Sequence, residues 1–400
     1  MRKSVVTTSD VRSANMLKVY LALRDRGPLT KRALAQDTEL TFASVSSICN
    51  DLLKFGLIIH EEESISTGGR KAAMFSFAPN YAYFLVIDLH HTEFLTIGLV
   101  NLAKEVVKHY RVEFSKEKTL EGLLQSIKEG YAHLKEGMDG RIAGLLVCVS
   151  AVYNQQNKMI LQSSNPILER VNLSMHLREH FPSIPILIEN DANLVAYSQH
   201  DPFDSKNKHL LFVFFTQGVG LGIIIDGKLY RGANGFAGEL GHLQVSGVDT
   251  VCDKCGQVGC LRTVVPLASI ARDLGDTEKL RKAGSQAYCE YLLEQFPVDS
   301  EVHKRIHLAA EKIGVLLAEL FDIMNPNQII LGGNNWKLFP IMSQTIKETC
   351  RGVSNLAREV DIQISFLNHS CNELIFQGAS EKGFRHIIET NIPFDDFLYL

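Results

Sequence analysis

The chain has 400 residues, a net charge of −4, and 46% hydrophobic against 22% charged residues. Those values suit a globular protein of two or three domains and exclude a disordered chain. No apolar run approaches the roughly 18 residues of a spanning helix, and the N-terminus MRKSVVTTSDVRSAN lacks the apolar core of a secretion signal. A cytoplasmic protein without membrane insertion is therefore expected, its eight cysteines reduced and better suited to metal than to disulfides.

Charge divides unevenly: residues 1–80 carry +3 and the remainder −7. A small basic module on an acidic body is compatible with nucleic-acid binding. Asn15 to Arg26 reads as a helix with a broad apolar face, stopped by Gly27-Pro28. Thr30 caps a short second helix through Gln36, and Leu40-Thr41 opens a third that Gly56 ends. Leu57–Ile59 and Ala73–Phe77 read as strands around the loop STGGRKA.

Three helices and a hairpin give a winged helix-turn-helix over residues 1–80. Its third helix presents Thr41, Ser44, Ser46 and Ser47 to base edges in a major groove of double-stranded DNA. Arg70 and Lys71 in the loop meet phosphates or the minor groove, and Lys31 and Arg32 lie near the backbone. The competing reading is a helical module used only for protein contacts.

From Tyr83 the pattern turns to strands: Phe84–Asp88, Phe94–Asn101 and Val106–Phe114, then a helix from Leu120 to Leu134 and a strand over Ile142–Val149. Strand Ile186–Glu189 delivers Asn190-Asp191-Ala192-Asn193 at its carboxyl end, where ligands of open α/β sheets gather. A second round runs from strand Leu210–Phe215 through Gly218-Val219-Gly220-Leu221-Gly222 to Ile223–Ile225 and Lys228–Tyr230. Helices follow at Leu267–Asp273, Gln286–Gln295 and Glu301–Met324, with strands Gln328–Leu331 and Ile362–Phe366 and a last helix, Leu374–Glu389. Two βββ-α-β-α halves, residues 81–200 and 201–400, form a two-lobed actin-like or sugar-kinase-like α/β body, a ribonuclease H-like plan. The second lobe would carry the dimerisation helices.

Between those rounds and the helices lies the chemistry. His242, Cys252, Cys255 and Cys260 fall within some twenty residues, a donor set that a borderline-soft ion such as Zn2+ takes tetrahedrally. Cys252-x-x-Cys255 alone would equally suit a redox pair; the third Cys and the His turn the reading to zinc. Glu239, three residues before His242, is placed either to accept sugar hydroxyls or to orient the imidazole.

Glu189-Asn190-Asp191-Ala192-Asn193, Gly218-x-Gly220-x-Gly222, Gly238-Glu239-x-Gly241-His242 and Cys255-Gly256-x-x-Gly259-Cys260, in this order, resemble the ROK family of bacterial repressors, open reading frames and sugar kinases. The winged segment with Gly68-Gly69-Arg70 resembles the repressor branch. The resemblance implies that Asn190, Asp191, Glu239 and His242 line a sugar pocket, and that His242 with the three cysteines holds zinc. In the kinases, the residue matching Asp191 is the base that takes the sugar hydroxyl proton.

Three departures shape the expectation. The family's Asp-x-Gly-x-Thr phosphate loop is here Asp88-Leu89-His90-His91-Thr92, which loses the close backbone approach phosphates need, so no catalysis is expected. The Gly218 to Gly222 stretch then reads as a tight turn between paired strands. The zinc loop, usually opening Cys-x-Cys, has one inserted residue, which the metal tolerates. Where the family has a sugar-binding Glu, this chain has Arg262. Either Arg262 pairs with an anionic effector such as a sugar phosphate, or it points outward and a contact is lost.

The expected protein is a sugar-responsive transcriptional regulator, a homodimer or dimer of dimers on a DNA operator. The rivals are an ATP-dependent sugar kinase with an appended DNA-binding arm and a regulator whose signal is a protein partner.

Overall fold

The computed structural model describes residues 8–61, 73–91, 94–114, 118–138, 140–199, 208–360, 362–368 and 371–389. The chain opens with helix α1 (Thr8–Arg26), strand β1 (Leu29–Thr30), helices α2 (Lys31–Thr38) and α3 (Phe42–Lys54), and strands β2 (Ile58–Glu61) and β3 (Met74–Phe77). The two threonines picked out in the sequence do their capping work. Thr30 and Thr41 hold extended backbone, and their hydroxyls accept from Ala33 N and Ser44 N, each at 3.2 Å. Strand β1, too short to show a pattern, pairs antiparallel with β3 and completes a three-stranded sheet in the order β1-β3-β2.

A first five-stranded sheet follows. Strands β4 (Ala82–Asp88), β5 (Phe94–Asn101) and β6 (Val106–Glu113) form a meander, and helix α4 (Leu120–Lys135) leads to β7 (Arg141–Val149). Next come a hairpin of β8 (Ala151–Asn154) and β9 (Met159–Ser163), helix α5 (Leu173–His180), and β10 (Ile186–Asn190), which passes directly into α6 (Asp191–Gln199). The order is β10-β7-β4-β5-β6, with β7 and β10 parallel to β4.

The second sheet repeats that plan. It holds β11 (Leu210–Phe215), β12 (Val219–Ile225) and β13 (Lys228–Leu229), then, after helices α7 (Leu267–Asp273), α8 (Thr277–Gln295) and α9 (Ser300–Met324), strand β14 (Gln328–Gly333). Helices α10 (Phe339–Val353) and α11 (Asn355–Glu359) precede β15 (Gln363–Phe366), and α12 (Cys371–Glu389) ends the described chain. The order β13-β12-β11-β14-β15 matches the first sheet position for position, so the duplication expected from topology is present.

Several elements differ from those expected. Helix α8 begins at Thr277 and is broken at Gly284, whose φ is +79°. Gly220 and Gly222 lie within β12, and only residues 216–218 make the turn. The hairpin β8–β9 and helices α5, α6, α10 and α11 have no counterpart among the expected elements.

Helix α12 ties the parts together. A Cβ on Gly378 would fall 1.7 Å from the Leu194 carbonyl oxygen, so α12 and α6 meet backbone to backbone, which only glycine permits. On α12 the Phe384 ring stacks on Tyr20 of α1, with centroids 5.4 Å apart. The buried Arg24 and Glu381 side chains pair at 3.1 Å. One hydrophobic cluster therefore runs from α1–α3 through β4 and β11 to α12.

Candidate functional site

Four donors converge in the irregular segment between β13 and α7. A short 3-10 turn, Leu240–His242, presents the imidazole, and isolated bridges Gln244↔Cys260 and Val251↔Val258 fold the cysteine loop back beside it. Entry to that turn requires Gly238: its φ is +96°, and a Cβ there would fall 1.9 Å from the Leu221 carbonyl oxygen. His242 Nδ1 lies 3.2 Å from Cys255 Sγ and 3.9 Å from the sulfurs of Cys252 and Cys260, and Cys255 and Cys260 are 3.5 Å apart. Bonds of about 2.3 Å to a tetrahedral ion require ligand–ligand edges of about 3.8 Å, so the four positions fit one metal ion.

The sulfurs show the same demand electrostatically. Burial opposes ionisation of Cys252, but backbone N–H groups of Cys255 and Lys254 outweigh it and hold that thiol below its usual value. Burial and the two neighbouring sulfurs push Cys260 up to about 12. A cation among them would favour the thiolates all three need for ligation. Because Nδ1 faces the sulfurs, Nε2 is left as the outer nitrogen of His242.

That imidazole borders a cavity of about 390 Å3 that also collects Asn190, Asp191, Glu239 and Arg262, so the residues singled out as a pocket in the sequence do come together. Each enters with a different commitment. Asn190 is largely spent on the fold: its Oδ1 accepts from Ala192 N at 2.9 Å, capping α6, while its Nδ2 donates to Ala151 O at 3.2 Å. Asp191 is buried; Oδ1 accepts from Ala192 N at 2.8 Å, and Oδ2 has no hydrogen-bond partner among the described residues. Burial raises its pKa against the pull of His90 and the opposing hydrogen bonds of the Ser150 hydroxyl and Ala192 N–H.

Glu239 stands at the open side of the cavity with no hydrogen bond to His242. Enclosure by the walls, then the Asp191 carboxylate, push it up to about 7. Arg262 lines the cavity with its side chain 17% exposed, and its contact with Asp253 is loose at 3.7 Å.

The altered first loop is packed shut where it is described. His90 Nδ1 lies 2.6 and 2.8 Å from the two oxygens of the fully buried Asp88, and its backbone N–H donates to Asp88 Oδ1 at 3.1 Å. Burial pulls both groups toward neutrality, yet their mutual attraction wins, lowering Asp88 and raising His90. His91 stacks on Phe94, and burial pushes it down to about 3.

In the sequence, Glu189 belongs to a motif but carries no task of its own. Its Oε2 accepts from Arg231 at 2.7 Å and from Lys382 of α12, and its Oε1 accepts from Asn193 Nδ2 at 2.9 Å. Burial would raise Glu189, but Lys382 and then Arg231 outweigh it and hold it down at about 2. No local spacing announces a partner as distant in sequence as Lys382.

On α3, Phe42, Ser44, Ser47 and Asn50 are exposed, as is Arg32 on α2. Ser46 is half-buried and accepts from Lys31 Nζ at 3.0 Å, so that lysine is bound to α3. Thr41 is held by its cap, with Ser44 Oγ at 2.8 Å. Arg70 and Lys71 lie outside the described residues.

Paired sheets of this order, with a polar cleft at their strand ends, define the actin-like and sugar-kinase-like class of α/β proteins. Within it, the chain belongs to the ROK family, whose model matches residues 85–370. The xylose repressor of Caldicellulosiruptor bescii is 27% identical over 374 residues, covering 88% of this chain and 91% of the repressor. The N-acetylglucosamine repressor of Escherichia coli O157:H7 is 27% identical over 342 residues, covering 81% of each chain. Among solved structures, a ROK family transcriptional regulator homologous to the E. coli MLC protein superposes with a TM-score of 0.73 at 21% identity, over 95% of this chain and 99% of its own. A ROK hexokinase from Thermus thermophilus gives 0.62 at 20% identity, over 77% and 99%.

Proposed function

We propose that this protein is a sugar-responsive transcriptional repressor, acting as a homodimer on a two-fold DNA operator. The observation that carries the reading is the buried Asp191 carboxylate, one oxygen unpartnered, facing a cavity shared with Glu239, Arg262 and the metal-site imidazole. A buried acceptor left without a donor is costly, and a sugar hydroxyl supplies the donor. Relatives named xylose repressor and N-acetylglucosamine repressor support the same assignment.

Residues 1–80 act as the winged helix-turn-helix. Ser44, Ser47 and Asn50 on the outer face of α3 meet base edges, with Phe42 beside them for an apolar contact. Thr41 and Lys31 hold that face in shape, Arg32 approaches the backbone, and Arg70 and Lys71 supply the wing. Residues 81–200 and 201–400 are two lobes that close on the effector. Closure reaches the DNA-binding segment through α12, which grips α6 behind Asp191 and α1 through Arg24 and Tyr20.

Zn2+ is the ion this His and three-Cys set favours, and when bound it would tie the loop together through four ligand bonds. His242, Cys252, Cys255 and Cys260 would hold it, leaving His242 Nε2 to donate a hydrogen bond toward the cavity. Cys255→Ala should lose stoichiometric metal and with it regulation; full regulation without metal would contradict the coupling. Footprinting of DNA upstream of the gene should show a symmetric protected site released by the effector sugar. Absence of any protected site at modest salt sinks the repressor reading.

Arg262 inside the cavity favours an anionic effector such as a sugar phosphate. Calorimetry with a neutral sugar and its phosphate decides this, and tighter binding of the neutral form ends it. Asp191 would also serve a sugar kinase as base, but His90 lies on the Asp88 carboxylate in the first loop. A coupled ADP-release assay over a hexose panel should therefore read no turnover, and steady turnover would favour the enzyme.

A further inference from the structure

We infer a second ligand site, for a small phosphate-bearing anion, in a cavity along strand β10. The cavity is about 410 Å3 and shares no lining residue with the one at Asp191. Four cationic side chains enter it from four parts of the chain: Lys158 from the β8–β9 turn, Arg178 from α5, Arg231 from beyond β13 and Lys382 from α12. His386 joins them, and no Asp or Glu stands among the described residues lining the space.

Glu189, in contact with two of these groups, offsets one charge, because Arg231 and Lys382 share its single oxygen Oε2. Arg178 and Lys158 have no carboxylate within salt-bridge distance among the described residues. Four like charges converging on a concave wall repel one another, least screened at the more enclosed Arg231 and Lys382. A polyanion reverses the sign of that interaction, and guanidinium groups match phosphoryl oxygens two at a time. The volume suits a small molecule larger than bare phosphate, and Ile186, Leu187 and Ile188 offer it an apolar wall.

The site is wired to its neighbours. Glu189 also accepts from Asn193 Nδ2 at 2.9 Å and Asn190 N at 3.2 Å, at the start of α6 where Asp191 sits. An anion drawing Arg231 and Lys382 toward itself loosens their hold on Glu189, and so shifts the floor of the other cavity. By linkage, each ligand then changes the other's affinity by the same factor.

Titration calorimetry with pyrophosphate at constant ionic strength tests the site on the full chain. Saturable binding of one pyrophosphate per chain is expected. The double variant Lys158→Glu, Arg178→Glu changes two exposed side chains, so the fold should persist by circular dichroism while affinity falls about tenfold or more. Arg262→Ala should leave binding unchanged. No saturable heat, or equal affinity in the double variant, overturns the inference; loss in Arg262→Ala instead assigns the anion to the Asp191 cavity and overturns it too. Neutral-sugar calorimetry reads the repressor proposal separately, because this site does not depend on it.

Discussion

Strands β4 and β11 sit at the centre of sheets with the same order, and β10 and β15 sit at matching edges. In the first sheet β4 ends on the buried Asp88 and β10 runs out into Asn190-Asp191. In the second, β11 ends on Phe215, and β15 ends on Phe366, whose ring packs 5.4 Å from that of Phe339. One topology thus serves two purposes. The first sheet sets charged groups at its strand ends, while the second fills the same places with core. The second half makes its chemical contribution through an insertion, the loop between β13 and α7, which carries Glu239, His242 and the cysteines across to the first sheet's ends. Chemistry here is grafted onto a repeated scaffold and does not follow from it.

Gly378→Val should break this arrangement most severely. Its branched side chain meets the Leu194 carbonyl, and a loss of about 4 kcal/mol or outright misfolding is expected in urea unfolding. A mild effect would mean the α6–α12 contact is looser than described. Next comes Glu189→Gln, which leaves buried Lys382 and half-buried Arg231 without their carboxylate and should cost about 3 kcal/mol.

The pH dependence carries a sign. The Glu189 pKa falls from an ordinary 4.5 to about 2 on folding, so its contribution is complete above 4.5 and disappears as pH drops toward 2. The gap between wild type and variant should close over that window. A gap that stays constant would contradict the assignment.

Asp191→Asn should leave stability nearly unchanged but weaken binding of the effector sugar about tenfold to a hundredfold, by calorimetry. Unaltered binding would remove Asp191 from the site. The smallest effect belongs to the second half. Gly352, in α10, has nothing within 4 Å of where an added methyl would stand, so Gly352→Ala should shift stability by under about 1 kcal/mol, toward greater stability.

Sequence alone exposed what is local. Threonine caps, hydrophobic strands and the His–Cys spacing are short-range signals, and all three landed where expected. Helix α6 escaped because it is buried on nearly every side, so it has no polar face to betray a helical period. The β8–β9 turn, Asn154 to Lys158, lacks glycine and proline, and Lys158 takes φ +58° unaided by either. Which cavity residues were committed elsewhere was equally hidden. Asn190 looked like a ligand group and proves to be mostly a cap, because the carbonyl of Ala151 that engages it comes from a different strand.

The Tyr20–Phe384 stack has a consequence for how the protein is made. The surface that receives α1 lies on α12, some 360 residues further along the chain, so it leaves the ribosome long after α1 does. At about 5–20 residues per second, the N-terminal helices wait tens of seconds in the open before their seat exists. The segment proposed to meet DNA is thus seated only after both sheets behind it have been made.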